Sequence, residues 1–313
     1  MNYVTLGRTG LNVSVISLGA GGSSRLGIGS AQTERHAADI VSAAVERGIN
    51  LIDTAEAYGT ESAVGAGLQH VGRDAVFIST KYSLRENKAL KRPEDFEKSV
   101  DRSLANLKTD YMDIYHLHAV SLDDYDYVSQ YLVPEMIKMR DKGKIRFLGI
   151  TEGFVSDPSH RALIRAVQDD CWDVMMVGFS VLNQSARETV FKPAMAKNIG
   201  ILDMFAVRRA LSRPEALAEL IGGLADQGLL DGRGVDRSDP LGFLVRPDGA
   251  RSIVDAAYRF CRHEPGVHSV LMGTGNVQHL ADNIESANRG PLPAEDIARL
   301  QNMFAGIDHV SGN

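Results

Sequence analysis

Apolar residues along this chain follow two alternating rhythms. Short runs of strand length are interleaved with longer stretches in which apolar positions recur every three or four residues. The stretch 33–48 puts Ala37, Ile40, Val41, Ala44 and Val45 on one helical stripe, and 93–107 does the same with Phe96, Val100, Leu104 and Leu107. Further helices are predicted over 132–142, 161–168, 188–197, 252–262, 280–287 and 294–304. Strands are predicted over about 14–18, 50–54, 76–80, 112–117, 145–150, 174–179, 201–205 and 269–271. Ahead of them, residues 7–10, flanked by Val4, Leu6, Leu11 and Val13, read as the turn of a β-hairpin at about 3–13.

Eight strands, nearly all separated by a helix, call for a parallel sheet, because parallel neighbours need crossover connections. Eight such units point to a closed (β/α)8 barrel of the TIM type, with the N-terminal hairpin before it and helices closing the C-terminus. One domain over 1–313 suits a barrel of this length. The longest departure from the rhythm is 208–250, which contains an amphipathic stretch at 214–224. An insertion after a barrel strand lies over the active face, and one this long points to function.

Composition narrows the class. The hydrophobic fraction of 44% and charged fraction of 24% are those of an ordinary globular chain. A net charge of −6 speaks against nucleic acid or an anionic membrane as partner and leaves a small molecule. Cys171 and Cys261, about 90 residues apart, form neither a disulfide framework nor a zinc spacing and read as two buried thiols. The opening MNYVTLGRTG lacks a signal-peptide pattern and no apolar run reaches spanning length, so a cytoplasmic enzyme is expected. Oligomeric state is left open.

Candidate chemistry gathers at strand ends. The loop Gly19-Ala20-Gly21-Gly22-Ser23-Ser24 is not a dinucleotide fingerprint, since its third glycine position falls on Ser24. It still lets a ligand approach the backbone at Gly19, Ala20 and Gly21. Strand alternation puts Ile49, Leu51 and Asp53 on one face, with Tyr58 in the loop beyond. Phe77, Ser79 and Lys81 share a face of the third strand, and Tyr82 points away. Met112, Ile114, His116 and His118 share a face of the fourth. A carboxylate on an inner barrel face needs a partner, and Lys81 is at the same end. His116 and His118 have no matching third ligand, so no metal is expected.

These segments together resemble the aldo-keto reductase superfamily over almost the whole chain. TLGRTGLNVS is similar to its hairpin, GINLIDTAEAYG to the segment carrying its Asp and Tyr, FISTKY to the strand of its Lys, and LKTDYMDIYHLH to the strand of its His. GKIRFLGIT and SVLMGTGNVQHLADN resemble its fifth strand and last cofactor-binding segment. The resemblance implies Asp53, Tyr58, Lys81 and His118 as the catalytic set, and NADP or NAD as cofactor. Three positions depart from the family. Thr151-Glu152 stands where Ser-Asn commonly holds the nicotinamide amide, Met176 where a Gln shares that task, and Ala206 where an aromatic stacks on the ring, with Phe205 expected on the opposite face. Val207, Arg208 and Arg209 follow as cofactor contacts, the two arginines toward the pyrophosphate. Gly273, Thr274, Gly275, Asn276 and His279 form the segment where the family often clamps a 2′-phosphate, with Asn283 placed for the adenine. Gly273 and His279 replace the usual basic pair, which brings NAD near parity with NADP.

The mechanism implied is carbonyl reduction or the reverse oxidation. Tyr58 gives a proton to the carbonyl oxygen as nicotinamide gives hydride to its carbon, Lys81 favours the phenolate, Asp53 holds Lys81, and His118 orients the carbonyl. A different class is open: a dinucleotide-binding, redox-sensing regulatory protein with negligible turnover. The loop 121–127 after the fourth strand reads either as a solvated acidic turn or as a substrate wall bearing Tyr125 and Tyr127.

Overall fold

The computed structural model describes residues 1–230 and 236–313. Eight parallel strands close into a barrel in sequence order: β1 (Ile16–Gly19), β2 (Leu51–Asp53), β3 (Phe77–Ser83), β4 (Met112–Val120), β5 (Ile145–Glu152), β6 (Val174–Gly178), β7 (Gly200–Met204) and β8 (Ser269–Met272). The hairpin Tyr3–Thr5 with Asn12–Ser14 pairs Tyr3 opposite Ser14 and covers the barrel's N-terminal end. Its Leu6, Leu11 and Val13 join inward residues Leu51, Ile114, Val174 and Leu202 in one buried cluster inside the barrel. The other strand faces pack against the helix ring in a second, larger core.

Local chemistry sets the helix ends. In the helix Glu34–Glu46 the buried residues are Ala37, Ile40, Val41 and Ala44, the stripe read from the sequence, and the Thr33 side chain caps it by accepting from the His36 amide. Such a cap stabilises a helix by about 1 kcal/mol. Ser252 caps Ile253–Arg262 in the same way, and Asn276 caps Val277–Asn288 by accepting from the amides of Gln278 and His279. The described residues of the insertion 208–250 include two α-helices, Arg209–Ser212 and Pro214–Asp226, of which the second buries Leu217, Ile221 and Leu224. Residues 231–235 of that insertion lie outside the described residues.

A short antiparallel ribbon after β3, Arg85–Glu86 with Ala89–Leu90, has no counterpart in the sequence reading, because two-residue strands leave no periodic signal. Cys261 is buried, but Cys171 is only half-buried, and neither forms a disulfide. No helix among the described residues is long and apolar enough to cross a membrane.

Candidate active site

Asp53 ends β2 on the inner face. Its carboxylate accepts from Lys81 Nζ at 2.5 Å and from Ser79 Oγ at 2.7 Å, both donors coming from β3. Lys81 gives a second hydrogen bond, 2.7 Å long, to the Thr54 carbonyl. His116 lies 3.1 Å from Ser79 Oγ through Nε2, so the inner face of β4 backs the same network. All four side chains are buried. Burial alone favours a neutral lysine. The Asp53 carboxylate, with the Tyr58 oxygen behind it, outweighs that penalty and holds Lys81 protonated above the ordinary lysine range.

Tyr58 sits in the single turn Glu56–Tyr58 that follows β2. Its hydroxyl is 3.4 Å from His118 Nε2, and the two rings meet edge to face at 5.3 Å. Lys81 Nζ is 4.9 Å from the Tyr58 ring centroid. A side chain on Gly21 would begin 2.5 Å from that ring, so the glycine loop after β1 is what gives the phenol its place. Burial, with the Lys81 charge beside it, pushes His118 down to about 3, so its imidazole is neutral across the physiological range. The set is therefore a phenol between a buried ammonium and a neutral imidazole. That arrangement can deliver a proton and hydrogen-bond an oxygen, with an ammonium at hand to offset the negative charge that proton delivery leaves.

A cavity of about 1040 Å³ opens beside these groups, over the C-terminal ends of β1, β2, β6, β7 and β8. Asp53 and Tyr58 reach it, and Lys81 and His118 flank Tyr58. Gly19, Gly21 and Met176 line it from the barrel, and Val207, Arg208 and Arg209 from the loop after β7. Gly273, Thr274, His279 and Asn283 line the far end, at the capped N-terminus of Val277–Asn288.

Six of the cofactor-binding candidates do not face it. Ala20 is buried, with its amide donating to the Asp53 carbonyl. Gly275 packs against Gly27, and Asn276 spends its side chain on the helix cap. Thr151 Oγ1 accepts from the Ala119 amide at 2.8 Å. Glu152 turns away into the scaffold, where it pairs with His160 Nδ1 at 2.9 Å and accepts from the Gly178 amide at 2.8 Å. Ala206 is buried, and Phe205 lines the cavity in its place. The reversal has a local cause. Phe205 adopts φ +74°, which breaks the strand alternation from which its opposite facing was inferred. Tyr258, from the helix Ile253–Arg262, and Met204 also line the cavity and were not singled out by the sequence. Tyr258 sits on a helical stripe that looks like core, and no pattern marks it as a cavity residue. The loop tyrosines do not reach the cavity. Tyr125 is buried, donating to Asp169 at 2.7 Å and accepting from Trp172 Nε1 at 3.0 Å, and Tyr127 donates to the Lys91 carbonyl.

A profile for the Aldo/keto reductase family matches residues 16–304. The chain belongs to the aldo/keto reductase family. Membership implies nicotinamide-dependent oxidoreduction of carbonyl groups. An uncharacterized oxidoreductase of Bacillus subtilis is 25% identical over 309 residues, covering 95% of this chain and 94% of its own. An L-galactose dehydrogenase of Arabidopsis thaliana is 36% identical over 152 residues, and the match spans about half of each protein, 47% of this chain and 47% of the relative. Among solved structures, an aldo-keto reductase of Bacillus halodurans in its holo form superposes with a TM-score of 0.73 at 22% identity, covering 97% of this chain and 96% of that one; at that identity the likeness is one of fold.

Proposed function

We propose that this aldo/keto reductase interconverts a carbonyl and an alcohol, with Tyr58 as proton donor, Lys81 as its electrostatic partner, Asp53 as the anchor of Lys81, and His118 as the neutral group that orients the carbonyl oxygen. The observation that carries the reading is the buried Asp53–Lys81 pair lying against the cavity-facing ring of Tyr58. The cavity is large enough for a dinucleotide. Its walls suit NADP or NAD: glycine backbone at Gly19, Gly21 and Gly273, a helix N-terminus beside Thr274, an aromatic face in Phe205, and the exposed cation Arg209. A bound nicotinamide supplies or accepts the hydride. The chain's own residues manage the proton. The Tyr58 hydroxyl protonates the carbonyl oxygen, and the ammonium of Lys81 stabilises the phenolate left behind. Asp53 keeps that ammonium in place through burial and a short contact. His118, neutral and 3.4 Å from the same hydroxyl, steers the oxygen between them. In alcohol oxidation each role reverses. The L-galactose dehydrogenase match adds aldoses to the aldehydes and ketones to be tried.

Steady-state oxidation of NADPH and of NADH with an aromatic aldehyde tests the reading. Turnover that falls about 100-fold or more in Tyr58→Phe, with cofactor binding retained, is expected. Stoichiometric cofactor binding without turnover would instead identify a redox-sensing regulatory protein, and near-normal kcat in Tyr58→Phe would remove Tyr58 from its role.

A further inference from the structure

On the wall that the β7 loop contributes, Arg208 pairs with no carboxylate among the described residues. Arg208 is half-buried and lines the cavity, with its guanidinium stacked 3.8 Å from the Phe205 ring centroid. Its Nε is shut off from solvent without a hydrogen-bond partner. Burial weighs against its charge, and the groups acting in its favour are the oxygens of Tyr58 and Tyr258, with no carboxylate among them. A guanidinium placed this way costs free energy unless something pairs with it. Stacking on an aromatic face occupies only the flat surface of the group and leaves its Nη donors, which are not shut off, available to a planar anion.

The position of the group decides which anion. Gly22 lies beside Arg208, since a side chain there would begin 3.0 Å from Nη1, and the adjacent Gly21 lies against the Tyr58 ring. The guanidinium therefore stands at the Tyr58 end of the cavity. Asp255 and Asp282 line the same cavity from the helices Ile253–Arg262 and Val277–Asn288 and would repel an anion placed beside them. We propose that Arg208 anchors a carboxylate carried by the carbonyl substrate, so that the favoured substrates are oxo-acids, sugar acids included. This rests on the carbonyl-reductase reading above, and it assigns Arg208 to the substrate, where the sequence pointed to the pyrophosphate of the cofactor.

The test compares 4-carboxybenzaldehyde with 4-nitrobenzaldehyde, two planar aldehydes of similar size that differ in charge. The wild-type protein should favour the carboxylate in kcat/KM by about 10- to 100-fold, the range of a charge-assisted bidentate contact. Arg208→Met, which keeps apolar contact with Phe205, should bring the ratio near one, and Arg208→Lys should fall between. Because the ratio is taken within one protein, any shared loss of folding or cofactor affinity cancels. A wild-type ratio near one, or a ratio that survives in Arg208→Met, overturns the proposal. If Arg208→Met weakens NADPH or NADH binding while the ratio stands, the guanidinium serves the pyrophosphate and the proposal fails. Absence of turnover with both aldehydes would instead sink the carbonyl-reductase reading. Calorimetric binding of the two aldehydes then decides the anion site, with carboxylate-selective binding lost in Arg208→Met supporting it and equal binding overturning it.

Discussion

Polar side chains end the barrel strands on both sides of the cavity, and the two sides use them differently. On β2 to β4 they join one another and open on the cavity: Asp53, Ser79 and Lys81 form one chain of contacts that ends at Tyr58. On β5 they turn back into the scaffold. Thr151 is taken by the Ala119 amide, and Glu152 by His160 and Gly178. Behind Glu152, Phe154 stacks on the His160 ring at 5.4 Å and meets Phe205 edge-on at 5.1 Å, so this side presents an apolar face where the first presents a charged one. Burial is nearly complete on both sides. What separates them is whether the buried charge has an outlet to the cavity, and that property marks chemistry better than polarity alone.

The comparison is broken most severely at Lys81. Lys81→Met leaves Asp53 as a buried carboxylate with only Ser79 as a close donor, and removing one member of a buried pair costs about 3–5 kcal/mol. Chemical denaturation should show that loss. The double variant Asp53→Asn/Lys81→Met should recover much of it, because no charge is then stranded. An unchanged unfolding midpoint in Lys81→Met would mean that the pair does not hold this side together.

A smaller effect probes the other side. Glu152→Ala removes the acceptor from two buried donors, the Gly178 amide and His160 Nδ1, and should cost about 1–3 kcal/mol. Glu152→Gln keeps one carbonyl oxygen, which both donors can share as they share Oε1, and should restore most of the loss. The change should be read in the melting temperature, with cofactor affinity unmoved. If affinity falls and stability holds, Glu152 faces the cofactor in solution and the contrast between the two sides disappears.

The barrel and the inward-facing candidate groups were legible because period-two alternation is strict inside strands. Leu51 and Asp53, Ser79 and Lys81, and Ile114 and His116 all face as their spacing requires. Legibility stops where the strand does. Phe205 follows Met204 by one residue, yet a left-handed backbone brings it to the cavity, and nothing in a run of non-glycine residues announces positive φ. Glu152 and His160 are eight residues apart in a connection that has no period, and His160 itself has φ +63°. Tyr125 read either as part of a solvated acidic turn or as a substrate wall because its loop follows the fourth strand, but its hydroxyl is bound between Asp169 and Trp172, residues more than 40 positions away. Long-range contacts of that kind leave no local trace.

The smallest effect concerns the end of the cavity beside the helix Val277–Asn288, where that helix supplies no basic side chain to read the cofactor. Gly273 and His279 line that end, with Thr274 Oγ1 already accepting from the Asn276 amide and the Asn276 side chain committed to the helix cap. No lysine or arginine from the helix Val277–Asn288 lines the cavity there, and Asp282 does. A 2′-phosphate beside this helix would thus find one histidine and no basic side chain of the helix, which favours it only weakly. Preference between NADP and NAD should stay within about tenfold in either direction, since a full charge-assisted contact is worth a factor of that size or more. Fluorescence titration of both cofactors into the apoprotein measures it, and a preference beyond a hundredfold for NADP would require a clamp that this end does not supply. Gly273→Lys sharpens the point. A side chain at 273 would begin 3.6 Å from the Gly19 carbonyl and 3.7 Å from that of Gly21, ordinary contact distances, so the substitution fits without displacing the loop. It should shift the ratio toward NADP by about tenfold or more, the shift fading as salt rises, because an exposed ammonium–phosphate pair is screened. A variant that binds both cofactors as before would place the 2′-hydroxyl away from residue 273 and detach cofactor choice from this segment.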